Sequence, residues 1–120
     1  MKVVVTSTGE SLNSLVDQRF GRAAAFVMVD TGSGEITSED NAAGVDAAQG
    51  AGVQAAERVA RLGAARLITG HCGPKAFRTL VAAGIEVYTG ATGTIGEAVE
   101  QLEAGELTRM TGPDRAGHWG

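Results

Sequence analysis

Ile68-Thr69-Gly70-His71-Cys72-Gly73-Pro74-Lys75-Ala76-Phe77 is the stretch whose reading decides the fold. The apolar Leu67-Ile68 is short and runs into a glycine. Pro74 suits the first position of a helix, where an N–H would have no intrahelical partner anyway. The stretch therefore reads as strand, tight turn and helix start, with the chain's single cysteine and one of its two histidines side by side in the turn. Backbone N–H groups at a helix start favour anions, and a thiol placed there is pushed toward thiolate.

Upstream, Val3-Val4-Val5 is a β-branched run with the character of a strand buried on both faces. Ala25 to Asp30 reads as a second strand, Thr31 to Gly34 as a hairpin turn, and Glu35 to Glu39 as a third, more exposed strand. The Ala-, Gly- and Asn-rich segment from Asp40 to Gly52 reads as a loop. Val53, Ala56, Val59 and Ala60 share one helical face that Gly63 can close. Arg66 to Thr69 is the fourth strand. Downstream, Phe77, Leu80 and Val81 form a helix face ended by Gly84, and Ile85 to Tyr88 is the fifth strand. The last helix carries Ile95, Ala98, Val99 and Leu102 on one stripe, with Thr94 and Glu97 spaced as a capping box and Gly105 as terminator. The order β-β-β-α-β-α-β-α implies an α/β fold with a mixed five-stranded sheet and three helices. Its late strand–helix alternations imply right-handed crossovers.

In such sheets ligands gather at the carboxyl ends of parallel strands. Three loops are expected there: Thr6 to Gly9, Gly70 to Gly73, and Gly90 to Gly93. They nominate Ser7, Thr8, Gly70, Gly73, Gly90 and Thr92 as binding positions, and the middle loop holds His71 and Cys72. The folded domain is expected over residues 1–107, and residues 108–120, ending in His118-Trp119-Gly120, as a flexible tail.

Composition narrows the function. A chain of 120 residues with 43% hydrophobic and 20% charged side chains fits one globular domain. A net charge of −4 argues against a nucleic-acid surface. No apolar run approaches the length of a membrane span, and the first residues are too short for a signal sequence. A single cysteine fits a reducing, cytoplasmic setting and rules out a four-cysteine site within one chain.

Three motifs compete for the chemistry. Gly50-Ala51-Gly52-Val53-Gln54-Ala55 matches G-x-G-x-x-A, but no buried strand precedes it, so a helix lead-in is the better reading. His71-Cys72-Gly73-Pro74-Lys75-Ala76-Phe77-Arg78-Thr79 fits the cysteine-phosphatase letters, in which Cys72 would attack phosphorus and Arg78 hold the oxyanions. Against it, Pro74 starts the helix early and sends Arg78 outward. Tyr88 to Thr94 follows a strand and opens a helix, so its amides offer a metal-free, regulatory anion-binding module. Ribonuclease-H-type magnesium chemistry would need acidic residues on the first strand, and Lys2 to Ser7 has none.

Taken together, Arg19-Phe20-Gly21-Arg22-Ala23, Phe26 to Asp30, Gly50 to Ala56, Ile68 to Phe77 and Ala83 to Tyr88 resemble the dinitrogenase iron–molybdenum cofactor biosynthesis family, the NifX, NafY and NifB C-terminal type of domain. The resemblance spans Val3 to Leu107. It implies a ribonuclease-H-like fold without nuclease activity. It also implies a non-catalytic role in binding, carrying or inserting a metal–sulfur cluster, iron–sulfur with or without molybdenum, held transiently, with Cys72 and the assisting His71 as its metal-ligating pair. The family often has histidine before Phe-Gly-Arg; here Arg19 leaves a cation in its place. Arg19 and Arg22, with the amides of two helix starts, would complement an anionic cluster. The partners implied are cluster donor and acceptor proteins, with room for a homodimer and no role for nucleic acid or membrane.

Overall fold

The computed structural model describes residues 1–45 and 50–112, so the expectations for Asp46 to Gln49 and for His118-Trp119 lie outside the described residues. The elements run β1 (Lys2–Ser7), β2 (Ala25–Asp30), β3 (Ile36–Asp40), α1 (Ala42–Val45), α2 (Ala51–Arg61), β4 (Arg66–Ile68), α3 (Pro74–Ala82), β5 (Glu86–Thr89), α4 (Ile95–Glu103) and β6 (Thr108–Arg109). The sheet order is β3-β2-β1-β4-β5-β6. β2 is antiparallel to β1 and β3, while β4 is parallel to β1 and β5. This is the ribonuclease-H-like mixed sheet expected, with three helices longer than one turn among the described residues.

Two details differ. The sheet has six strands because Thr108–Arg109 pairs with β5, Tyr88 opposite Arg109 and Thr89 opposite Thr108. Met110 continues this pairing, its N–H donating to the Val87 carbonyl at 2.8 Å. Neither strand residue is buried; pairing with β5, not an apolar pattern, recruits them. The second difference is α1, Ala42–Val45, inside the segment read as loop.

The strand pleat divides the core in two. Val4, Phe26, Leu67 and Val87 face α2 and α3, meeting Ala55, Val59, Phe77 and Leu80. Val3, Val5, Val27 and Ile68 face α4, meeting Ile95, Ala98, Val99 and Leu102. Val3, Val4 and Val5 are all fully buried, as a central strand requires. α3 begins at Pro74 with Gly73 as its N-cap. α4 carries the full capping box between Thr94 and Glu97. Gly105 just beyond α4 takes the left-handed conformation, φ 75°, that ends a helix without a side-chain clash. No helix among the described residues is long and apolar enough to cross a membrane.

Because β3 runs parallel to β1 and β4, α2, α3 and α4 all begin at the same sheet edge. α2 and α3 start on one face and α4 on the other. That arrangement decides where a ligand can sit.

Candidate anion-binding pocket

A pocket of about 510 Å³ opens between the starts of α2 and α3. Phe20, Gly21 and Arg22 wall one side, Gly50 to Val53 supply the start of α2, and His71 with Gly73 to Ala76 supply the turn and start of α3. Arg78 completes the lining. Among the described residues the pocket lining therefore gathers Arg22, Lys75, Arg78 and the His71 imidazole without a carboxylate, in a chain whose net charge is −4. The two helix dipoles add positive potential at the same point. Among the described residues the amides of Gly52, Val53, Lys75 and Ala76 have no acceptor, as first-turn amides do not within a helix. Phe20, Ala51, Val53, Pro74 and Ala76 give the cavity an apolar component. Such a lining suits an anion that is large and weakly hydrated better than a small one that clings to its water.

Close packing brings the two helix starts together. A β-carbon on Gly52 would stand 3.3 Å from that of Ala76. One on Gly21 would stand 2.6 Å from the Gly52 nitrogen, so only glycine lets the Phe20–Arg22 segment lie on the start of α2. Buried Asn41 fixes the same segment, its Nδ2 donating to the carbonyls of Gly21 (3.1 Å) and Ala23 (2.9 Å). Arg58 in turn donates to the Asn41 Oδ1 at 2.9 Å.

The sequence-predicted site residues divide between two places. Arg22, His71 and Gly73 line the pocket. Ser7 and Thr8 do not: Ser7 is buried, its Oγ accepting from the Gly9 N–H, and the Thr8 N–H and hydroxyl both donate to the Leu15 carbonyl. Gly90 and Thr92 are also elsewhere. The Thr92 N–H and carbonyl are both taken by the Gln101 side-chain amide, at 3.2 and 3.1 Å. The amides at the start of α4 are consumed as well. The Ile95 N–H donates to the Ser14 carbonyl, the Gly96 N–H to the Leu12 carbonyl, and the Glu97 N–H to the Thr94 hydroxyl. The segment from Leu12 to Val16 thus covers this helix start and leaves the Gly90–Gly93 loop little to offer an anion.

Arg19 does not face the pocket. Its guanidinium holds the Asp17 carboxylate at 3.1 and 3.2 Å, a hydrogen bond and charge contact that raise its pKa further. Gly70 lies beneath the Gln18 backbone, with no space for a side chain. The most consequential placement is that of Cys72. It is only 1% exposed, and it belongs to the core with Phe20, Ala55, Ala76 and Phe77 while its neighbour His71 faces solvent. The thiol is therefore not presented to the pocket in this conformation. A cysteine phosphatase needs its thiol at the centre of the anion loop; here Cys72 is in the core and Arg78 is at the pocket. No group of three or more His, Cys, Asp or Glu side chains that could hold a metal ion occurs among the described residues.

Sequence reasoning missed the start of α2 and Lys75. The available signal was Gly50-Ala51-Gly52 opening an amphipathic helix, which bears on a ligand only once its meeting with α3 is known.

Residues 1–105 match the family described as dinitrogenase iron-molybdenum cofactor. A curated but uncharacterized protein of Methanocaldococcus jannaschii is 30% identical over 101 residues, covering 82% of this chain and 85% of its own length. Among solved structures, the apo form of the orange protein from Desulfovibrio gigas is similar at 42% identity and TM-score 0.90, covering 94% of this chain and 95% of that one. The NMR structure of a Thermotoga protein provisionally assigned to NifB is similar at 35% identity and TM-score 0.83, over 97% and 98% of the two chains. Sequence motifs, sheet order and these likenesses agree: the chain belongs to the dinitrogenase iron–molybdenum cofactor family.

Proposed function

We propose that this protein binds and carries an anionic metal–sulfur cluster, iron–sulfur with or without molybdenum, in the pocket between α2 and α3. The observation that carries the reading is the convergence of two helix starts and three cationic side chains, Arg22, Lys75 and Arg78, on one cavity. Sulfido clusters carry negative charge, and their bridging sulfides accept hydrogen bonds from backbone amides. Charge and amide donors would hold such a group as a unit, with the His71 imidazole as the side chain placed to reach a metal. A ligand gripped this way is released without breaking several protein–metal bonds, which suits exchange with donor and acceptor proteins. The role is carriage and not catalysis. A similar structure is that of the apo form of an orange protein; a polypeptide alone has no visible chromophore, so a coloured, removable group is consistent with the same role here.

Protein purified without oxygen from its own cell is expected to be coloured and to contain acid-labile sulfide together with metal. Replacing Arg22, Lys75 and Arg78 together by Gln is expected to abolish uptake of tetrathiomolybdate, a sulfide-bearing molybdenum anion, measured by its visible absorbance after gel filtration. Uptake by the wild type is expected to fall as salt is raised, because exposed charges are screened beyond about 10 Å at 0.1 M. Uptake that survives the triple substitution would sink the pocket as the binding site.

A further inference from the structure

We infer that Asp17, acting through Arg19, is a positioning residue for the pocket: the pair clips the Gln18–Phe20 backbone onto the His71 turn and so fixes the turn beside the start of α2. The inference rests on the pocket being the binding site. Asp17 is itself held at the end of β1, its N–H donating to the Thr6 carbonyl at 2.8 Å and its carbonyl accepting from the Thr6 hydroxyl at 2.6 Å. The residue is 5% exposed. Its carboxylate spends its acceptor capacity on one neighbour, taking the Arg19 amide at 2.9 Å and the Arg19 guanidinium at 3.1 and 3.2 Å. A buried carboxylate so engaged forces the chain to bend at Gln18 and fixes the direction in which it leaves.

That direction matters because the next contacts are made by backbone. The His71 N–H donates to the Gln18 carbonyl at 2.7 Å, and the Phe20 N–H donates to the His71 carbonyl at 3.3 Å. Gly70 makes the approach possible, since any β-carbon there would collide with the Gln18 carbonyl oxygen. One residue further on, Phe20 and Gly21 form the pocket wall, and Gly21 rests on the Gly52 backbone. The segment from Asp17 to Gly21 is therefore a strap joining the turn before α3 to the start of α2. Arg19, 66% exposed and outside the pocket lining, serves the ligand by holding the strap.

The test exploits the sign of a charge. Asp17→Asn removes a negative charge close to an anion site, so by electrostatics alone it would tighten tetrathiomolybdate binding. If Asp17 positions the strap, the same substitution weakens binding several-fold. It also speeds hydrogen exchange at the His71 and Phe20 amides by about tenfold, as local opening of a strap would, while amides of β1 keep their protection. Arg19→Lys, which keeps the charge but not the bidentate fork, is expected to recover part of both losses relative to Arg19→Gln. Arg19→Gln should weaken binding without changing how steeply binding falls with salt, whereas Arg78→Gln should make that fall shallower. Tighter or unchanged binding in Asp17→Asn, or unchanged exchange at His71, would overturn the inference. Uniformly faster exchange through β1 would overturn it too, since Asp17 would then support the whole fold and not the strap. Should wild-type protein fail to take up tetrathiomolybdate, the pocket reading falls, and exchange at His71 and Phe20 in the ligand-free protein still decides the strap.

Discussion

A thiol at the end of a buried strand either turns out toward solvent, where it can ionise and bind metal, or turns in and behaves as a small apolar group. The pairing of His71 with Cys72 at a helix start makes the first course legible in the residues, since a thiol and an imidazole side by side are a ligand pair. Which of two adjacent side chains faces inward depends on the path of the turn, and that path is set by Gln18 and Phe20, some fifty residues away in the chain, bonding to the His71 backbone. The result is Cys72 in the core and His71 at the surface. Cys72→Ala is therefore expected to cost about 1 kcal/mol of stability through the lost sulfur contacts, read from the shift of a urea unfolding curve. It is expected to leave tetrathiomolybdate uptake close to wild type. Loss of uptake with an unchanged unfolding midpoint would restore Cys72 as the anchor and require the turn to open on binding. In the native protein the thiol should resist alkylation by iodoacetamide until urea exposes it.

Helix starts separate what is locally encoded from what is not. The α4 capping box was legible because Thr94 and Glu97 act within one turn, each closing on the other's backbone N–H. Their bonds hold the Glu97 carboxyl below the usual carboxylate range. α2 has no side-chain cap at all, and its N-cap is Gly50. Its first-turn donors acquire a use only through contact with α3 and Gly21, a tertiary fact. The two helix starts should respond differently to substitution. Thr94→Ala is expected to lower stability by about 1 kcal/mol and to leave uptake of tetrathiomolybdate intact, because the start of α4 is already covered by Leu12 to Val16. Gly21→Ala places a β-carbon 2.6 Å from the Gly52 nitrogen, so the strap or the first turn of α2 must shift. The expected cost is about 1–3 kcal/mol, together with weakened uptake. Calorimetric melting and the same uptake measurement on both variants separate the two effects; equal uptake in both would contradict the role given to α2.

On the scale of the whole molecule, the element order and the mixed sheet were legible because strand periodicity, turn glycines and crossover handedness constrain topology jointly. β6 escaped because two exposed polar residues have no pattern; they join the sheet through pairing and through Arg109, whose guanidinium stands 3.8 Å from Glu86. Glu86 is the hub of that far edge, accepting from the Tyr88 hydroxyl at 2.9 Å and from Arg66 at 3.1 Å, while the Arg66 guanidinium lies 5.7 Å from the Tyr88 ring centre. The Tyr88 hydrogen bond above all, with Arg109 and Arg66 behind it, holds the Glu86 carboxyl below the usual carboxylate range, and the same bond raises the Tyr88 phenol. Asp30 is lowered too, chiefly by the Gly32 and Ser33 amides in the hairpin turn. The signs follow from linkage. A carboxyl with a depressed folded-state pKa contributes stability above its unfolded pKa and loses it as pH falls through the folded value. A phenol with a raised folded-state pKa contributes below its unfolded pKa and loses that contribution as pH rises through the folded value. The Glu86–Tyr88 pair should therefore weaken the fold at both ends of the scale: in acid below the ordinary carboxylate range, and in alkali above the ordinary phenol range. These groups are half-buried at the surface, so each effect is small and screened by salt. Melting temperature measured against pH at low ionic strength is expected to show a plateau near neutrality that falls on both sides. In Glu86→Gln the acid fall and the alkaline fall should both become shallower, since the carboxyl is gone and Tyr88 no longer sits beside the carboxylate that raises it. An alkaline limb unmoved by Glu86→Gln would mean that Tyr88 and Glu86 titrate independently, and that the β5–β6 edge is held by backbone pairing alone.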